Sequence, residues 1–172
     1  MPVQALFGLS VAFSFLTWSI VTVRYVWPAL RERSRADALE PLLILHAFRF
    51  VGLSFLVPGV VSPDLPATFA VNAAYGDLIA AVLALLALAA LRGKLGTPLV
   101  WIFSLWGSAD LFDAFYRANS SGLTPGQFGA DFFIPTLIVP LLLITHGLIF
   151  YLLLRRPSQA SVSRNLPLSA SG

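Results

Sequence analysis

Apolar runs of roughly 17 to 23 residues, each long enough to cross a hydrocarbon layer of about 30 Å, constrain this chain more than any other feature. Five stand out: about Ala5 to Trp27, Pro41 to Val61, Tyr75 to Leu91, Pro98 to Tyr116 and Phe132 to Leu154. In lipid a backbone must satisfy its own hydrogen bonds, and a helix does so within one segment. The expectation is an all-α polytopic integral membrane protein, a five-helix bundle over residues 1–156 with a disordered tail over 157–172. Composition agrees. Only 11% of residues are charged against 58% hydrophobic, and a soluble domain carries about twice that charged fraction.

The net charge of +3 does not point to nucleic acid, because the basic residues gather beside the ends of the apolar runs. Arg24, Arg31, Arg33 and Arg35 surround the end of the first run, Arg92 and Lys94 follow the third, and Arg155, Arg156 and Arg164 follow the fifth. Those nine lie on one side of an alternating bundle, and the other side has only Arg117. The lysine and arginine bias of short loops then places the C-terminus in the cytoplasm and the N-terminus outside. The first run carries its positive charge after the apolar stretch, the reverse of a secretory signal, and is read as a retained helix. Trp18, Tyr25, Trp27, Tyr75, Trp101, Tyr116 and Tyr151 sit near span ends, as interfacial anchors do.

Local signals add detail. The alanine-rich third span, with Ala80, Ala84 and Ala87, lets neighbouring backbones approach and is expected at the centre. Thr97 and Pro98 suit the start of the fourth, and Pro135 and Pro140 predict a bend in the fifth. The segment "SPDLPATFAVNAAYG" reads as a loop at the interface, and "RANSSGLTPGQFGAD" as a mobile outer loop.

The stretch "LLILHAFRFVGLSFLVPG" carries the functional question, because His46 and Arg49 sit inside it, about one helical turn apart. Ionisable groups within a span are costly and face the bundle interior. At about 1.5 Å per residue, His46, Arg49 and His146 fall in the inner half, and Asp77, Asp110, Asp113 and Arg117 in the outer half. Asp110, Asp113 and Arg117 share one helix face with Trp106, and Arg49 has the reach to pair with Asp110. Asp113 and Arg117 are an i,i+4 pair in the favourable order. Asp77 and Asp131 read as first-turn acids that favour the helix dipole.

The candidate ligand-binding or polar-core residues are therefore His46, Arg49, Trp106, Asp110, Asp113, Arg117 and His146. His46 and His146, the only two histidines, are also candidate axial ligands of a b-type haem, with Arg49 available for a propionate. The absence of cysteine removes disulfides, thiolate catalysis and cysteine-ligated metals. No HExxH, GxGxxG, GxxxxGK[ST] or GxSxG pattern is present, so no catalytic residue is assigned.

The block "RFVGLSFLVPGVVSPDLPATFAVNAAYGDLIAAVLALLALAALR" resembles the small bacterial membrane proteins of the DoxX-like group. In those a glycine-bearing helix leads through a short outer loop to a small-residue-rich apolar helix. The resemblance covers residues 46–117, implies a bacterial inner-membrane location, and carries over no site residue. Three functions stay open at this level. One is binding of a small apolar or redox ligand such as a quinone or lipid. The second is haem electron transfer. The third is a structural or partner subunit of a membrane complex, in a homo-oligomer or with a membrane partner, whose internal charges only hold the bundle together in the lipid bilayer. Proton relay along the acids from Asp77 to Asp113 is a fourth, and it would need an oligomer.

Overall fold

The computed structural model describes residues 1–155, all-helical with no strand among them. The expected disordered tail over 157–172 lies outside the described residues. We label the long helices α1 (Val3–Arg31), α2 (Arg35–Leu56), α3 (Ala67–Ala90), α4 (Gly96–Ser120) and α5 (Ile134–Leu154). Four of them, α1, α2, α3 and α5, are long and apolar enough to cross a membrane. Helix α4 is 25 residues long but dilutes its apolar face with Ser104, Ser108, Asp110, Asp113, Arg117 and Asn119.

The helices alternate in direction, so Arg31–Arg35, Leu91–Leu95 and Arg155 share one end of the bundle, here called the basic end. There Arg155 donates to the Arg31 carbonyl over 2.7 Å and Arg35 to the Arg155 carbonyl. Arg92 reaches across to Asp37 at 3.0 Å and Glu40 at 2.8 Å, and these carboxylates raise its pKa. Both pairs are solvent-exposed and contribute little to stability. Ser34 caps α2 by accepting from the Asp37 amide.

Side chains pack in three tiers. Near the basic end, Leu39, Leu43, Ala84, Ala87, Val100, Phe103 and Ile149 form an apolar core. Near the opposite end, Phe55, Leu65, Phe69, Ala74, Phe128 and Ile134 form a second, aromatic core. Ionisable residues occupy the layer between them. As the alanine spacing predicts, α3 is central, with Ala80, Ala84 and Ala87 fully buried between α2 and α4.

Several local expectations change. Helix α3 begins at Ala67 rather than Tyr75, because "ATFAVNAAYG" continues the helix instead of forming a loop. The segment after α4 is folded. Thr124 and Gln127 make a capping box that starts a 3₁₀ helix over Pro125–Phe132. Ser62 donates its amide to Gln127 and Ala130 donates to Val60, so the two connections at this end brace each other. Gly129 makes this possible. Its φ is +54°, and a Cβ there would collide with the Val60 carbonyl. Asp131 is not a free first-turn acid but is buried, accepting from Ser54 on α2 at 2.8 Å. Burial raises its pKa, and that hydrogen bond opposes the shift. The bend expected from Pro135 and Pro140 takes the form of a π-helical turn over Ile134–Ile138.

Helix α2 has two windings, α-helical over Arg35–Ala47 and 3₁₀ over Phe48–Leu56. A 3₁₀ helix has about three residues per turn, so every third side chain falls on one line. His46, Arg49, Gly52 and Phe55 are that line, and all four are buried. Phe48, Phe50 and Leu56 point outward.

Candidate functional site

Arg49 is the centre of the middle tier. Its side chain is 1% exposed, and all three guanidinium nitrogens are engaged. Nε donates to Asp77 Oδ1 of α3 at 2.7 Å, Nη2 to Asp110 Oδ2 of α4 at 2.5 Å, and Nη1 to the Gly107 carbonyl at 3.2 Å. One cation thus ties together three helices, and the planar fork of arginine suits it to two carboxylates at once.

Three glycines create the space. A Cβ on Gly52 would strike the Asp77 carboxylate, and one on Gly76 would strike that of Asp110. A Cβ on Gly107 would lie 2.8 Å from His146 Cε1 and Nε2 and 2.9 Å from Arg49 Nη1. Each of α2, α3 and α4 therefore gives up a side chain so that a polar group from another helix can enter.

Toward the basic end lie the two histidines, with ring centroids 4.2 Å apart and Phe103 against both. His46 Nε2 is 3.0 Å from Thr145 Oγ1, and that hydroxyl also lies 2.9 Å from the Leu141 carbonyl. If the hydroxyl donates to the carbonyl, it accepts from His46 Nε2–H, which assigns that tautomer. His146 is 2% exposed, and neither of its ring nitrogens has a hydrogen-bond partner among the described residues.

This contact does not fit a haem between the imidazoles. Nitrogens each about 2 Å from a metal, with ring centroids about 1 Å behind them, put the centroids about 6 Å apart. Rings 4.2 Å apart leave no slot for a macrocycle. Nor does any group of three or more histidine, aspartate or glutamate side chains poised for a metal occur among the described residues.

On the other side of Arg49, toward the aromatic core, a cavity of about 240 Å³ opens between the C-terminal half of α4 and the start of α5. Phe7, Phe55, Phe69, Phe115 and Phe128 contribute five aromatic rings to its wall. Its polar floor is Asp77 and Asp110, and Arg49 is not part of the lining.

Of the residues singled out from sequence, His46, Arg49, Asp110 and His146 meet here. Asp113 and Arg117 do not. They pair with each other at 2.5 Å on the half-exposed rim, beside a small crevice that also touches Asp110. Trp106 is 43% exposed and outside the cavity, its indole N–H 3.5 Å from the Gly76 carbonyl. Sequence reasoning missed Asp77 as a member, because a helix start at Tyr75 made it a first-turn acid. It also missed Thr145, Phe103 and the three glycines. Glycines at 52, 76 and 107, each within three residues of an ionisable group inside an apolar run, were the available signal.

These features define a helical bundle with a charged belt under an aromatic cavity. The chain belongs to the family described as "Domain of unknown function (DUF8737)", whose match spans residues 6–154. No curated protein and no solved structure matches it.

Proposed function

We propose that the chain is a five-span integral membrane protein, N-terminus outside and C-terminus in the cytoplasm, that binds a small apolar ligand in the cavity above Asp77 and Asp110. Four helices meet the length and hydropathy of a span, and α4 is held against α3 and α5 by the same packing, which supports its crossing with them. Nine basic residues against one support the orientation. The layout resemblance to DoxX-like proteins agrees with a bacterial inner-membrane location.

The cavity itself carries the binding reading. A half-open cavity walled by aromatic rings, with convergent polar groups at its floor, is the usual form of a ligand site. A haem electron carrier is disfavoured by the touching imidazoles, and a purely structural bundle gives no reason for the void.

The test is to purify the protein in a mild detergent, extract it with organic solvent, and identify co-purifying small molecules by mass spectrometry. Ala114→Phe, which places a ring in the cavity and leaves every charged residue in the sequence, serves as comparison. A compound present with the parent and depleted at least about tenfold in the variant is expected. Identical extracts from a folded variant and its parent would overturn the reading.

A further inference from the structure

The cavity floor offers a ligand the carboxylates of Asp77 and Asp110, and its one other polar lining side chain is the neutral, exposed Asn119. Three observations bear on which head group fits. First, every guanidinium nitrogen of Arg49 already points at a protein acceptor, and its side chain is 1% exposed and outside the cavity lining. An incoming carbonyl, carboxylate or phosphate therefore meets no free cation. Second, Asp77 and Asp110 both line the cavity, their side chains 14% and 16% exposed overall, and Asp77 Oδ2 and Asp110 Oδ1, the oxygens beside Gly52 and Gly76, accept no hydrogen bond from the described residues. Third, one guanidinium faces two carboxylates, so with both acids ionised the belt holds one negative charge in excess. Asp113 and Arg117 on the rim already neutralise each other and do not change that balance.

We propose that the cavity selects a lipophilic amine, a small apolar body ending in a protonated ammonium that seats between Asp77 and Asp110. This rests on the cavity being a ligand site, as argued above. The ammonium supplies the donors that the free carboxylate oxygens lack, and two cations then face two anions. Charge balance matters in a low-dielectric interior, where an unpaired ion is expensive. The phenylalanine walls suit the same head group, because a cation is attracted to the face of an aromatic ring. Size fits a compact ligand. A dry cavity of about 150 Å³ holds a benzene ring, so about 240 Å³ accepts a phenyl ring with a short alkylamine chain.

Three probes sharing one body, phenylbutylamine, phenylbutanol and phenylbutyrate, separate the possibilities. Binding of each to the full chain in detergent is measured by equilibrium dialysis, with protein-free micelles subtracted. The amine is expected to bind about tenfold or more tighter than the alcohol, the usual weight of a charge-assisted hydrogen bond, and the carboxylate weakest. In Asp110→Asn the preference for amine over alcohol should shrink toward unity while the alcohol still binds. In Ala114→Phe all three should be lost, which checks the location with Asp77, Asp110 and Arg49 all retained. Equal binding of amine and alcohol, or preference for the carboxylate, overturns the amine assignment and leaves the cavity reading standing. Failure of all three to bind a folded parent overturns both.

Discussion

Replacing Arg49 by methionine isolates the belt from the rest of the fold. Methionine approximates the aliphatic stem and keeps the packing, but it leaves Asp77 and Asp110 facing each other without their shared cation. Breaking a buried ion pair by removing one partner costs about 3 to 5 kcal/mol. Here both acids touch the cavity and keep 14% and 16% exposure, so water can partly relieve them and the lower end applies. The expected loss is about 3 kcal/mol, roughly a hundredfold in the unfolding equilibrium. Stability is read by titrating the detergent-solubilised protein with dodecyl sulfate and following helix content. The triple variant Arg49→Met, Asp77→Asn, Asp110→Asn removes all three charges and should recover to within about 1 kcal/mol of the parent, since neutral replacement of a buried ion set is often tolerated. Arg49→Lys should fall between, because one ammonium lacks the fork that holds two carboxylates. A parent-like Arg49→Met, or a triple variant no better than the single, would refute the claim that pairing is what keeps these charges inside.

The glycines make a second test. Gly76→Ala and Gly107→Ala should each lose about 1 to 3 kcal/mol by overpacking against Asp110 and against His146 with Arg49. Gly147→Ala, whose Cβ meets nothing within 4 Å, should be neutral or stabilise by up to about 1 kcal/mol in the same titration. If all three behave alike, close approach is not the role of the first two. Orientation has its own assay, made simple by a chain without cysteine. An impermeant maleimide added to intact cells should label Ser120→Cys and leave Gly93→Cys unmodified until lysis, both positions being exposed. The reverse pattern inverts the proposed topology.

The bundle was legible because long apolar runs with few charges leave a chain little else to become. The central place of α3 was legible in its alanines for the same reason, since small side chains matter only where backbones approach. The loss came at "ATFAVNAAYG". Its residues tolerate both loop and helix, and no strong capping residue announces a start at Ala67. That boundary alone moved Asp77 from a helix end to the middle of the belt. Asp113 and Arg117 show the opposite error. Their spacing correctly predicted an ion pair, but spacing cannot say whether a helix face meets the bundle or its surroundings. Gly52, Gly76 and Gly107 stood beside ionisable residues in the sequence, but the side chain that enters each socket comes from a different helix, which no spacing reveals.

The two windings of α2 tie the belt to the cavity in one further way. An α-helix turns about 100° per residue and a 3₁₀ helix about 120°. Between Arg49 and Phe55 the difference accumulates to about 120°, a third of a revolution. If this stretch rewound as α-helix with Arg49 held in place by its carboxylates, Phe55 would swing out of the cavity wall and Gly52 away from Asp77. The wall and the charge site are threads of a single screw, and its pitch sets the distance and angle between them.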